Sequence, residues 1–293
     1  MKGSLQAGVT QLVECDLAKV DVAGSNPVSR SRSSSSRKQN AAMEPVASSR
    51  EIISAAIGEF GASIAVLSSF QREDVVVTDL VLKAAPHTRI LTLDTGRVPP
   101  STNQIIAEIE SRYSIAVERI VPDPHEVESM VALHGLDLFR DSVPNRMLCC
   151  DIRKSRPLAR GLSGLAAFFT GLRRAQAKSR ASIETFDRSS AAQVKISPLA
   201  DWTREDVVRY TREYGLPEHP LYAAGYTSIG CDPCTRPVVA GEDERAGRWW
   251  WESPEAVKEC GLHFSADGRA ERTVDVLLRE VLSKTLSSPL PGA

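Results

Sequence analysis

The chain has 293 residues, 42% hydrophobic and 25% charged, with a formal net charge of −1 at pH 7. That is enough for one large domain or two small ones with a full core, while no apolar run approaches the roughly 20 residues of a membrane helix, so no membrane span is expected. A near-neutral chain gives no case for nucleic-acid binding; an anionic ligand would have to be held by a local basic cluster. Six cysteines without a secretory signal point to a reducing, cytoplasmic setting, where thiols serve metals or catalysis more often than disulfides.

Residues 1–42 read as a non-native or disordered leader. A Ser/Arg run covers 29–38, and Gly24-Ser25-Asn26-Pro27 resembles one frame of the T-arm of a transfer-RNA gene. The expected start is Met43, with Cys15 irrelevant. The competing reading is an organelle transit peptide, against which Glu14, Asp16 and Asp21 count.

From Met43 the chain alternates in the α/β manner. A helix near 50–60 precedes an apolar strand at 63–70 that ends in small polar residues. A helix over 73–85 follows, with Val76, Leu80 and Ala84 on one face; 89–96 is the next strand. The spacing then predicts a helix over 101–113, capped by Ser101, with Ile105, Ile106 and Ile109 inward. A short strand at 116–121, a helix at 125–134, a helix at 152–162 and a strand at 166–171 come next. Strand 194–197 precedes a helix through Tyr214, for which Thr203 and Asp206 supply a capping box. About five strands separated by helices predict a doubly wound parallel sheet, whose ligands bind outside the carboxyl ends of the strands. A last helix, over 271–286, carries Val274, Leu277, Leu278, Val281 and Leu282 on one stripe. The expected division is 43–248 for ligand binding and 249–293 for a C-terminal segment.

The strand ends carry the polar residues. Ser68 and Ser69 sit where strand gives way to helix, a place where short hydroxyls and free amides hold phosphate. No glycine-rich loop supports them, and an ordinary turn would explain them as well. Asp94, Thr95 and Gly96 end the next strand and would complete an adenosine crevice. Thr170-Gly171-Leu172-Arg173-Arg174 adds a strand-end glycine and two arginine forks suited to phosphate or sulfate oxygens. Arg180, Arg236, Arg245 and Arg248 add more, although exposed arginines often make only weak surface pairs.

Cys149, Cys150, Cys231 and Cys234 supply four thiols in two pairs. The vicinal pair fits a zinc ribbon poorly, while four thiolates meet the demand of a 4Fe–4S cluster; zinc and a redox disulfide stay open on spacing alone. Lys154, one helical turn beyond Cys150, brings a cation to that site and could bridge to an anionic ligand. Cys260, between Lys258 and His263, reads as a reactive thiol rather than a buried structural one. Trp249, Trp250 and Trp251 precede it, either shielding a site from water or simply packing.

From about Ser63 to His263 the chain resembles the assimilatory adenosine 5′-phosphosulfate reductases of the phosphoadenylyl-sulfate reductase family. The resemblance rests on Cys149-Cys150 with Ile152-Arg153-Lys154, on Leu93-Asp94-Thr95-Gly96, on Thr170 to Arg174, on Ser228 to Arg236, on Gly241 to Trp249, and on Lys258-Glu-Cys-Gly-Leu-His263. It implies an adenine-nucleotide alpha-hydrolase-like sheet, a 4Fe–4S cluster on the four paired cysteines, and Cys260 as nucleophile with His263 supporting the thiolate or merely capping the motif. It implies adenosine 5′-phosphosulfate as substrate, in sulfate assimilation and cysteine biosynthesis, with the 3′-phosphorylated nucleotide or dual use as the alternative. The donor would be a separate thioredoxin or glutaredoxin, since no thioredoxin-like domain is attached. The last helix is expected to pack on its own domain or on a sister subunit, which leaves a homo-oligomer open. Two departures stand out: the loop 68–74 is a residue shorter than the usual form and lacks its glycine, and the extension past Phe264 is not a family feature. An ATP pyrophosphatase or transfer-RNA thiolase would need a Ser-Gly-Gly-x-Asp-Ser loop, which is absent. A zinc-stabilised nucleotide-binding regulator is the non-enzymatic rival.

Overall fold

Apolar side chains along the central strands alternate between two cores, and this alternation fixes the sheet. The computed structural model describes residues 34–177, 180–190 and 193–253, with the backbone of 263–264 and 270–271; side chains are described from residue 44 to 253 within those ranges. Five strands, β1 (Ile64–Leu67), β2 (Arg89–Leu93), β3 (Val117–Ile120), β4 (Ala167–Phe169) and β6 (Val194–Ile196), run parallel in the order β3-β2-β1-β4-β6. A sixth, β5 (Phe186–Asp187), pairs antiparallel with β6 at the edge. All five expected strands are present. The edge strand was not foreseen, because two residues carry no periodic signal.

Ile64, Val66, Ala167 and Phe169 enter one core, while their neighbours Ala65 and Phe168 enter the other. Strands buried on both faces read as continuous apolar runs, which is why they were visible in the sequence. The larger core is roofed by α1 (Ser34–Phe60), α2 (Arg72–Ala84), α3 (Pro100–Tyr113) and α7 (Arg204–Glu213), through Ile53, Val76, Leu80, Ile105, Ile109 and Val207. Each such side chain contributes about 1.5–3 kcal/mol on burial, so this core rather than the edge strand carries the stability. The opposite face is closed by α6 (Arg156–Gly161) and the turn after it, with Leu158, Leu162 and Leu165. A separate lobe is built on α4 (Pro124–His134) and α5 (Val143–Cys150), where Met130, Phe139 and Trp249 pack with the cysteines.

Several boundaries moved for physical reasons. Helix α1 reaches back to Ser34, into the segment read as leader. Ser101 does not cap α3: the helix begins at Pro100, whose missing amide costs nothing at that position, and Ser101 lies in the first turn. Ala84 is exposed, because α2 leaves the core at its last turn. The helix expected over 152–162 divides into a π turn, Asp151–Ser155, and α6; α5 before it was not expected. The Thr203–Asp206 capping box forms as read, with Asp206 N–H donating to Thr203 Oγ1 at 3.1 Å. The helix over 271–286 lies outside the described residues except for Glu271, which belongs to β8 (Ala270–Glu271), paired with β7 (His263–Phe264). Among the described residues no helix is long and apolar enough to cross a membrane.

Successive connections carry the chain from β1 outward to β3, after which β4 returns to the other side of β1. That reversal is the topological switch point, and the crevice at its carboxyl end is the place to look for a ligand.

Candidate active site

The loop leaving β1 is shaped by one buried carboxylate. Asp74 accepts from the Ser69 amide at 2.7 Å, from Ser69 Oγ at 2.5 Å, and across the switch point from the Gly171 amide at 2.7 Å. Burial pushes the Asp74 carboxyl above its ordinary range, and these hydrogen bonds pull against that. Gly171 is required by close approach: a Cβ there would stand 2.6 Å from Asp74 Oδ1 and 2.7 Å from Asp74 N. In the loop that lacks the family's glycine, Phe70 adopts a left-handed backbone (φ 55°) with its ring buried. That conformation costs a non-glycine residue roughly 1–2 kcal/mol, offset here by the buried ring and by the Phe70 amide donating to Ser68 Oγ at 3.1 Å.

The loop leaving β2 ties the sheet to the cysteine lobe. Asp94 does not face the crevice; its carboxylate accepts from the Gly96 amide at 2.9 Å and pairs with Arg119 at 3.5 Å. Gly96 supplies the positive φ (70°) that this turn needs. Thr95 is buried, with Oγ1 3.2 Å from Cys231 Sγ, and its carbonyl accepts from Arg153 Nη1 at 2.8 Å. The Asp232 amide donates to the Arg97 carbonyl at 2.8 Å, and the Ile229 amide to Gln71 Oε1 at 2.7 Å.

Between these loops lies a cavity of about 300 Å³, at the small end of the range for ligand sites. Of the expected residues, Ser68, Ser69, Thr95, Lys154, Arg245 and Arg248 line it. Arg180, Gln71, Gly171 and Thr102 line it too; Arg180 was read only as one arginine among several, and Gln71 and Thr102 carried no local signal. Asp94, Gly96, Arg173 and Arg174 are not in its wall. Arg173 is instead a buried ion-pair centre, 2.8 Å from Glu73 and 3.3 Å from Glu244, and burial raises the Glu244 carboxyl against the pull of Arg173. Arg174 pairs with Asp201 and donates to the Ile183 carbonyl at 2.9 Å. Arg236 makes a surface pair with Glu242 at 2.8 Å. Arg248 lies flat on the chain at Gly230, where a Cβ would stand 2.1 Å from Nη2, and its guanidinium is 4.7 Å from the Trp249 ring centre.

Cys149 and Cys150 end α5, and Cys231 and Cys234 bracket the single turn Asp232–Cys234. All four are free thiols and line one small cavity of about 20 Å³, with Arg97, Arg146, Arg153, Lys154, Phe139 and Trp249 around them. Burial pushes the Cys149 thiol up and the Cys234 thiol up to about 12. Among the described residues no group of three or more His, Cys, Asp or Glu side chains is arranged to hold one metal ion. Lys154, Cys231 and Trp249 belong to the walls of both cavities.

The tryptophan triplet divides. Trp249 is buried with a left-handed backbone (φ 43°), Trp251 packs on Phe139 at 5.8 Å, and Trp250 is exposed. Next to them Glu252 forms a buried ion pair with Arg146 at 2.8 Å. Cys260 and the side chain of His263 lie outside the described residues.

The family described as phosphoadenosine phosphosulfate reductase domain matches residues 63–237. An adenosine 5′-phosphosulfate reductase of Allochromatium vinosum is 46% identical over 202 residues, covering 69% of this chain and 78% of the relative. Another, from Burkholderia cepacia, is 43% identical over 212 residues, covering 72% and 84%. Among solved structures, the phosphate complex of phosphoadenylyl-sulfate reductase from Candida auris superposes with a TM-score of 0.56 at 25% identity, covering 64% of this chain and 90% of that one.

Proposed function

The chain belongs to the phosphoadenosine phosphosulfate reductase family, and from that premise we propose how it reduces adenosine 5′-phosphosulfate to sulfite and AMP. It is an oxidoreductase acting on a sulfur group, in sulfate assimilation. The observation that carries the reading is the shared wall: a crevice of about 300 Å³ at the switch point lies beside a pocket of four free thiols, with Lys154 in the wall of both.

The Cys260 thiolate attacks the sulfur of the phosphosulfate, the S–O bond to the phosphate breaks, and AMP leaves with the electron pair. Lys154, Arg245 and Arg248 in the crevice wall offset the charge that grows on the departing phosphate. Ser68 and Ser69 line the crevice in the loop between β1 and α2; Asp74 takes the Ser69 amide and hydroxyl and the Leu91 carbonyl takes the Ser68 amide, which leaves the Ser68 hydroxyl to donate to the nucleotide. Lys258 and His263 flank the nucleophile in sequence, and cations beside a thiol lower its pKa. The enzyme is left with an S-sulfocysteine. A thiolate of reduced thioredoxin or glutaredoxin then attacks the Cys260 sulfur, sulfite departs, and the mixed disulfide is resolved by the donor's second thiol. The donor dithiol supplies both electrons.

Cys149, Cys150, Cys231 and Cys234 would hold a 4Fe–4S cluster. Four thiols in one pocket meet the ligand demand of such a cluster, and the vicinal pair fits a zinc ribbon poorly. When bound, the cluster would supply a fixed charged centre beside the crevice rather than electrons. In this division residues 43–248 bind nucleotide and cluster, and 249–293 deliver the nucleophile. Free thiols suit the cytoplasm, where we assign the enzyme.

Steady-state sulfite release with reduced thioredoxin tests the reading. The rate with adenosine 5′-phosphosulfate should exceed that with the 3′-phosphorylated nucleotide by a factor of 10 or more, a difference of about 1.4 kcal/mol. The opposite preference, or no sulfite from either nucleotide, would overturn it.

A further inference from the structure

The segment following α7 contains one buried histidine that the mechanism above does not use. His219 is 2% exposed. Its Nε2 lies 3.1 Å from Thr102 Oγ1 and 3.3 Å from Ser101 Oγ, both in the first turn of α3, and its Nδ1 accepts from the Leu221 amide at 3.3 Å. Three residues on, Tyr222 reaches the other helix that starts at the crevice: its hydroxyl accepts from the Arg72 amide at 2.9 Å. The run from His219 to Tyr222 therefore staples the first turns of α2 and α3, the two helices whose entry loops form the crevice floor.

The tautomer follows from the partners. A ring nitrogen that accepts a backbone N–H carries no proton, so neutral His219 holds its proton on Nε2 and donates it. Burial favours that neutral form, lowering the pKa of His219 from its ordinary value. Thr102 Oγ1, the nearer hydroxyl, is then an acceptor towards His219, and its own proton must point elsewhere. Thr102 is itself buried and lines the crevice beside Val98 and Pro99; its amide donates to the Pro99 carbonyl at 2.9 Å, while its hydroxyl has no second hydrogen-bond partner among the described residues.

We infer that Thr102 is a substrate-binding residue whose hydroxyl donates to an acceptor atom on the nucleoside half of the substrate, and that His219 is the positioning residue that turns it there. The cationic residues in the same wall are left to the phosphosulfate. The inference rests on the nucleotide-reductase reading and adds to it a donor that contributes to affinity more than to the sulfur chemistry.

The test compares Thr102→Val, Thr102→Ser, His219→Phe, His219→Gln and the double variant Thr102→Val/His219→Phe. It measures KM for adenosine 5′-phosphosulfate, kcat, and the Kd of AMP. Loss of one buried hydrogen bond of about 1–1.5 kcal/mol predicts a roughly tenfold rise in KM and in the AMP Kd for Thr102→Val, with kcat falling far less. Thr102→Ser retains the hydroxyl and His219→Gln retains an N–H donor, so each should recover most of the loss. His219→Phe should reproduce the Thr102→Val shift, and the double variant should add little, since both break one chain of bonds. An unchanged AMP Kd in Thr102→Val overturns the inference. So does a His219→Phe variant that melts earlier yet binds AMP like the parent. The AMP arm reads the crevice without turnover, so it decides this point even if the parent protein makes no sulfite.

Discussion

In the crevice, backbone amides and small hydroxyls do the shaping. Asp74 gathers the Ser69 and Gly171 amides, and one glycine lets two loops meet within van der Waals reach. Around the cysteine pocket the work falls to long cationic side chains. Arg153 holds the Thr95 carbonyl, and Arg146 pairs with Glu252 while lying 4.8 Å from the Trp249 ring centre. The first region comes from sheet topology, and any doubly wound sheet offers a version of it. The second joins residues 146–153 to 229–252 across the molecule, and the pairing of specific side chains does much to hold it together. Interactions of the first kind tolerate changes in surface charge but not added volume. Those of the second kind tolerate volume but not the loss of one ionic partner.

Three substitutions should separate the two modes. The largest effect belongs to the thiols: Cys231→Ser removes one of four ligands, and the iron content of anaerobically purified protein should fall from about four per chain to below one, with loss of visible absorbance. Full iron retention would remove Cys231 from the ligand set; zinc in place of iron in the parent would favour the regulator reading. Next comes Arg146→Ala, which leaves Glu252 buried without its partner. Such a loss costs about 3–5 kcal/mol and should lower Tm by roughly 10 °C or more. A shift within 2 °C, the scale of less than about 1 kcal/mol, would show that the pocket is not held by its ion pair. The smallest loss of stability is expected of Gly171→Ala, about 1–3 kcal/mol of overpacking. Because the new methyl meets backbone at 2.7 Å rather than the tip of a flexible side chain, it should still lower kcat/KM at least tenfold. Wild-type kinetics in this variant would break the claim that volume governs the crevice.

The same contrast explains what the sequence disclosed. The central strands β1 and β4 were legible because their runs are apolar on both faces, and the Thr203 cap because its box is local. The eight residues of α5 were not, since a short helix ending in two cysteines has no clear period. At the site, the serines, Thr95, Lys154, Arg245 and Arg248, singled out by type and place, line the crevice. Arg173 and Arg174 were misread because a count of arginines cannot show which of them meet carboxylates; Glu73 lies 100 residues from Arg173. Thr102 and His219, 117 residues apart, act only as a pair that folding creates.

The central claim is that one thiol takes the sulfo group from the nucleotide. Incubation with radiolabelled adenosine 5′-phosphosulfate in the absence of reductant tests it most directly. The label should remain on the parent protein, map to the peptide containing Cys260, leave as sulfite on addition of reduced thioredoxin, and be absent from Cys260→Ser. A Cys260→Ser variant that still forms sulfite at the parental rate would contradict the account.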